Sequence, residues 1–133
     1  GDTVSDPLRE LGEARYALLT TYRRDGRAVP TPVWIVGLDG GLGVWTVADS
    51  GKVKRIRRNP KVTLATCDVR GRHAGPAHAG RAYLREGAAA DPIKAGIADK
   101  YGIMGRLTLL GSRMRRGRTG TIGVMIELTS PPA

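Results

Sequence analysis

Phenylalanine is absent from this chain of 133 residues, and aromatic residues of every kind make up only 5% of it. A module that reads nucleic acid by stacking bases on exposed rings needs more than that, and no RNP-like strand motif is present. Cysteine occurs once, as Cys67. That excludes an internal disulfide framework and makes a reducing cytoplasm the expected location. No apolar run approaches the roughly 18 residues of a membrane span, and no signal-peptide pattern opens the chain. The glycines between Gly37 and Gly43 do not precede a helix, so they do not make a dinucleotide-binding fingerprint. Acidic side chains are the other shortage: 12 Asp and Glu stand against 22 Lys and Arg, leaving a net charge of +10.

Such a field attracts nucleic acid, an anionic membrane surface or a small ligand with several acidic groups. Arginine dominates the excess and favours bidentate contacts with phosphate or carboxylate. A biased Ala-, Gly- and Arg-rich composition is the bland alternative. The length fits one domain, residues 1–133, with enough core to fold without disulfides. At 41% hydrophobic and 26% charged residues the chain has the balance of a soluble globular protein.

The pattern predicts the order α-βββ-α-ββ-α-β. Pro7 opens a short helix to about residue 14, with Asp6 as its cap. Strands follow at 15–22, 27–38 and 42–48, joined by the hairpin signals Asp25-Gly26 and Asp39-Gly40-Gly41. Pro30 and Pro32 cannot donate to a ladder, so the second strand is expected at an edge, at a bulge or along a ligand. Further strands are expected at 61–67, 79–85 and 121–128, and a glycine-weakened helix from Ala90 to about Met114. Hairpin-linked strands of this kind make an antiparallel meander closing toward a barrel.

Residues 50–60, Ser-Gly-Lys-Val-Lys-Arg-Ile-Arg-Arg-Asn-Pro, carry the strongest functional signal. Five of the seven positions from Lys52 to Arg58 are basic, and the other two, Val53 and Ile56, are apolar and three apart. A short helix puts that pair on one buried stripe. Ser50 is placed to cap it and Asn59-Pro60 to end it. Lys52 and Arg55 then share one flank beside the helix start, a site for phosphate. Arg57 lies on the other flank, and Lys54 and Arg58 point to solvent. An amphipathic surface helix without a ligand is the alternative.

Other candidates are weaker. Cys67, His73 and His78 lack the paired spacing and fourth ligand of a zinc site, so no metal is expected. No orienting partner is evident for a Cys–His nucleophile. Trp34 and Trp45 are placed to pack across the Asp39-Gly40 hairpin, in the core or beside a ligand. Tyr101, in the third helix, has the reach to enter a pocket.

Leu18-Leu19-Thr20-Thr21-Tyr22, Asp25-Gly26-Arg27, Thr31-Pro32-Val33-Trp34, Val44-Trp45-Thr46, Ser50-Gly51-Lys52-Val53-Lys54-Arg55, Asn59-Pro60 and Cys67-Asp68 together resemble the flavin-binding split-barrel superfamily of pyridoxamine-phosphate-oxidase-like proteins. The likeness is greatest to the actinobacterial subgroup that uses the deazaflavin coenzyme F-420. It covers most of residues 14–85, and more weakly the rest. The resemblance implies a mainly β fold, a six-stranded antiparallel split barrel, forming a homodimer with cofactor sites between subunits. It implies that Lys52 holds the cofactor phosphate with help from Ser50 and Arg55. Thr31, Pro32 and Val33 would run along the ring system, and Thr46 would lie near the phosphate and ribityl region. True pyridoxamine phosphate oxidases carry further C-terminal arginine motifs that this chain lacks, so that activity is not expected.

FMN ends in one phosphate, whereas F-420 continues from its phosphodiester into a tail of glutamates. The basic run, with Arg70, Arg72 and the Arg113–Arg118 stretch, suits the longer anion. The expected function is therefore an F-420-dependent reductase passing hydride to a planar, electron-poor acceptor, with the cofactor doing the chemistry and no catalytic side chain named. The alternatives are an FMN flavoprotein, a non-catalytic carrier of F-420, FMN or haem, and, further off, a nucleic-acid-binding module.

Overall fold

In the run Tyr-Ala-Leu-Leu-Thr-Thr-Tyr every second side chain turns inward, which makes β1 (Tyr16–Tyr22) a half-buried strand with Ala17, Leu19 and Thr21 on its core face. The computed structural model describes residues 7–48, 50–102 and 121–129. After α1 (Pro7–Glu13) and β1 come β2 (Ala28–Val33), β3 (Ile35–Leu38), β4 (Gly41–Val47), α2 (Gly51–Arg58), β5 (Lys61–Cys67), β6 (His78–Arg85) and β7 (Thr121–Leu128). A 3-10 turn, Gly87–Ala90, leads into a third helix, α3, described over residues 91–102. The expected Asp6 cap, the part of the expected third helix beyond residue 102 and the Arg113–Arg118 stretch lie outside the described residues.

All seven strands form one antiparallel sheet in the order β2-β1-β5-β6-β7-β4-β3. Both turn signals hold: Gly26 and Gly40 take φ of 89° and 74°, the left-handed region glycine enters without a steric penalty. The sheet is mainly β with flanking helices, as expected, but the single strand predicted over 27–38 is two. The chain pairs with β1 up to Val33 and with β4 from Ile35, and Trp34 is the joint. Side-chain alternation fails at the same point, because Val33, Ile35 and Val36 are all buried. The two outer strands of the sheet are thus consecutive in the chain, one residue apart. The sheet curls until its edges meet at Trp34, where a covalent bond and not a ladder joins them. This is the split barrel, with seven strands in place of six.

Inside lies a core that includes Leu19, Val33, Ile35, Leu42, Val44, Leu64, Val124 and Ile126, with Leu11 of α1 and Ile56 of α2 against it. Outside, α3 covers β3, β4 and β7. Glycine makes that approach feasible: a Cβ on Gly123 would stand 2.8 Å from Ile93 Cδ1, and one on Gly43 would stand 3.0 Å from Ile93 Cγ1. Val36, Ile93, Ile97 and Tyr101 form this second cluster, with Trp34, Leu38 and Trp45 packed on it. The two tryptophans therefore share a cluster without pairing. Trp34 stacks on Tyr101 at 4.2 Å, and Lys94 Nζ lies 5.4 Å from the centre of the Trp45 ring. Tyr101 is spent on the joint, since its hydroxyl accepts from Ile35 N–H and donates to the Arg15 carbonyl. No helix among the described residues is long and apolar enough to cross a membrane.

Candidate functional site

The basic run folds as its spacing predicts. In α2, Val53 and Ile56 are buried while Lys54, Arg57 and Arg58 are exposed, and Lys52 and Arg55 are half-buried on one flank. The apolar pair seats the helix on β1 and β6. Asn59 closes it in extended backbone, donating its N–H to the Arg55 carbonyl at 2.8 Å.

Ser50 occupies the N-cap position but does not cap with its side chain. Its hydroxyl is buried and has no hydrogen-bond partner. A buried hydroxyl without a partner is costly, and here it stands at the positive end of a helix. Beside it, Arg55 turns back over the first turn. Its guanidinium takes the space that a Cβ on Gly51 would use, with Nη1 2.8 Å from that position. Its Nε donates to Thr21 Oγ1 on β1 at 2.7 Å.

The electrostatics point the same way. Burial lowers the pKa of Lys52, and repulsion from Arg55 adds to this. The pKa of Arg55 is lowered by burial first, then by the charges of Arg23 and Arg58. Ion pairs among the described residues join Arg9 to Glu13, Arg27 to Asp25 and Lys94 to Asp91. None of them neutralises a cation of α2. A helix N-terminus, an ammonium, a guanidinium and an orphan hydroxyl, with no ion-paired acid among the described residues, make a cradle that can hold an anion.

The strand residues are placed apart from this cradle. Thr31, Pro32 and Val33 lie on β2, an outer strand, opposite Leu19, Leu18 and Ala17 of β1. The edge position agrees with the two prolines. Val33 is committed to the core at 8% exposure, and Thr31 and Pro32 are half-buried. Thr46 lies half-buried on β4 opposite Ile122, four positions before Ser50. No hydrogen bond among the described residues ties these four to α2. The structure thus brings Ser50, Lys52 and Arg55 together and leaves Thr31, Pro32, Val33 and Thr46 on separate strands of the same barrel. Thr21 links the two parts, since it bonds Arg55 and pairs with Val29, two positions before Thr31. Thr21 and Gly51 contact Arg55 at the cradle without having been expected there from the sequence. A hydroxyl at a core position of an alternating strand was the signal for Thr21.

Two grooves lie elsewhere. One of about 440 Å³ runs past Tyr22, Asn59, Lys61 and Thr63 near the C-terminal end of α2. Another of about 420 Å³ lies by the β3–β4 turn, walled by Leu38, Arg85, Ile93 and Met125. Neither includes the cradle residues. Arg70 and Arg72 are exposed on the loop after β5, where their backbone N–H groups donate to Asp68. The Cys67 thiol has its pKa raised by burial and by Asp68, which suits a packed residue and not a nucleophile. Among the described residues no three His, Cys, Asp or Glu side chains group to hold a metal.

A family model described as pyridoxamine 5′-phosphate oxidase matches residues 6–119. No curated protein matches the sequence. Among solved structures, a conserved hypothetical protein from Mycobacterium tuberculosis aligns at TM-score 0.71 and 21% identity, covering 95% of this chain and 81% of that one. An F-420 reductase aligns at TM-score 0.59 and 17% identity, covering 96% and 97%. HutZ, a haem storage protein from Vibrio cholerae, aligns at TM-score 0.63 and 13% identity, covering 96% and 89%. At such identities the shared property is the fold.

Proposed function

Because the chain belongs to the pyridoxamine 5′-phosphate oxidase family, we propose that the cradle at the start of α2 holds the phosphate of a flavin-type cofactor, and that this cofactor is F-420. The observation that carries the reading is the convergence of Lys52, Arg55 and the orphan Ser50 hydroxyl, with no ion-paired acid among the described residues. An anion with several oxygens answers all three, whereas a metal ion is repelled by the two cations and an apolar ligand bonds with none of the three.

The preference for F-420 over FMN rests on charge beyond the first phosphate. Arg23 and Arg58 lie near enough to Arg55 to depress its pKa, so the positive field extends beyond the first phosphate site and suits a ligand with further acidic groups. The F-420 reductase among the structural neighbours supports this choice. FMN remains the second reading, since one phosphate fills the cradle.

When bound, reduced F-420 supplies a hydride from its deazaflavin ring. The chain's own part is to bind and to orient. Lys52 and Arg55 fix the charged handle, the Ser50 hydroxyl donates to it, and the unpaired edge of β2 at Thr31–Val33 lies where backbone groups can line a ring. No side chain at the cradle is a nucleophile or a general base, as hydride transfer requires none. A second copy of the chain would close the other side of the ring site and leave one face for a planar, electron-poor acceptor such as a quinone or an enone. A carrier that holds the cofactor without turnover is the competing reading, and HutZ is a storage protein on this fold.

Titration with F-420 and FMN tests the proposal. Lys52→Ala and Arg55→Ala should each weaken F-420 binding about tenfold or more, the loss expected for a charge-assisted hydrogen bond. Equal or tighter binding of FMN would remove the preference for F-420. Oxidation of F-420H2 by a quinone or enone panel then separates a reductase from a carrier.

A further inference from the structure

We propose that Thr21 and Gly51 are positioning residues for the anion site: the buried hydroxyl of one and the missing Cβ of the other lay the Arg55 guanidinium across the start of α2 with its Nη edge free. The inference rests on the anion-binding reading above and assigns two residues which that reading does not use.

Thr21 is the one polar side chain in the fully buried set among the described residues, at 0% exposure. It stands on the core face of β1 in line with Ala17 and Leu19, where valine would fit as well by shape. A hydroxyl at such a place costs stability unless it is bonded. Its Oγ1 accepts from Arg55 Nε at 2.7 Å, across 34 residues of sequence. Nε is the donor on the inner side of the guanidinium. Engaging it directs Nη1 and Nη2 outward, and a bidentate grip on an anion then needs no further rotation.

Gly51 sets the other coordinate. A Cβ there would lie 2.8 Å from Nη1, 3.5 Å from Cζ and 3.6 Å from Nη2 of Arg55. The guanidinium therefore lies against the first residue of α2, nearest through Nη1, and Gly51 is the chain neighbour of Ser50 with its unpartnered hydroxyl. The φ of Gly51 is not in the left-handed region, so alanine is sterically tolerated by the backbone, and the group that must yield is the mobile end of Arg55. Glycine at the first turn of a helix is otherwise unfavourable compared with alanine. Its presence here is explained by the pose of Arg55.

This separates function from stability. F-420 and FMN titrations should show Thr21→Val weakened about tenfold, Thr21→Ser close to wild type and Gly51→Ala weakened several-fold. Gly51→Ala should at the same time keep or raise the thermal midpoint. In the free protein, exchange of the Arg55 Nε–H proton with water, read by NMR, should be slow in wild type and Thr21→Ser and fast in Thr21→Val. Wild-type affinity in Thr21→Val and Gly51→Ala, while Arg55→Ala binds weakly, would overturn the positioning role and leave the anion site standing. Unchanged affinity in Arg55→Ala would overturn the anion site itself. Fast Nε–H exchange in the wild type would overturn the hold by Thr21 without reference to any ligand.

Discussion

Lys100 binds three carbonyls from two segments with one ammonium. Its Nζ donates to the carbonyls of Gly12 at 2.8 Å, Ala14 at 2.5 Å and Ile35 at 2.5 Å. It thereby ties α3 to the end of α1 and to the start of β3. Burial brings its pKa down to about 8, with repulsion from Arg15 adding to the fall and Glu13 opposing it. The sign of the linkage follows. Between about 8 in the folded state and about 10.4 in the unfolded state, the unfolded chain holds more protons, so stability rises with pH across that window. Urea midpoints should show the wild type gaining on Lys100→Met between about pH 8 and pH 10. A pH-independent difference would mean that the ammonium keeps an ordinary pKa. None of this was legible in the sequence, because all three partners are backbone carbonyls, which any residue supplies.

At the scale of elements, the decisive feature is the joint between β2 and β3. Composition alone makes 27–38 one β-rich run. The partner changes at Trp34 because Tyr101 holds the joint from outside, stacking on Trp34 while its hydroxyl bridges Ile35 N–H at 3.0 Å and the Arg15 carbonyl at 2.8 Å. Tyr101→Phe keeps the stack but strands a buried N–H and a carbonyl. It should lower unfolding stability by about 1–3 kcal/mol, measurable by urea denaturation. A neutral result would show that water reaches the joint. By contrast, the faces of α2 were legible: the three-residue spacing of Val53 and Ile56 predicted its buried face, and the flank occupied by Lys52 and Arg55 followed from that, although Ser50 does not cap with its side chain as expected.

For the whole molecule, the relevant quantity is the excess of 22 basic over 12 acidic residues. Two of the exposed arginines, Arg23 and Arg58, lie near enough to Arg55 to lower its pKa, so part of the field is local to the cradle. A ligand with a glutamate tail engages that field at more points than a single phosphate does. Raising the salt from about 50 to about 500 mM shortens the screening length severalfold. F-420 affinity should therefore fall more steeply than FMN affinity in parallel titrations. Equal slopes would confine the contacts to the first phosphate.

The sequence by itself determined the elements with strong local periodicity, the family likeness, the amphipathic face of α2 and the cation pair on its flank. These depend on neighbours a few positions apart, which a linear reading can see. Only the tertiary structure decided where the sheet's edges meet, which ring each tryptophan finds and what holds Arg55 in place. Those outcomes rest on pairs such as Ile35 with Tyr101, 66 positions apart, and Arg55 with Thr21, 34 apart. Contacts at that separation exist only once the sheet has curled, and no local pattern encodes them.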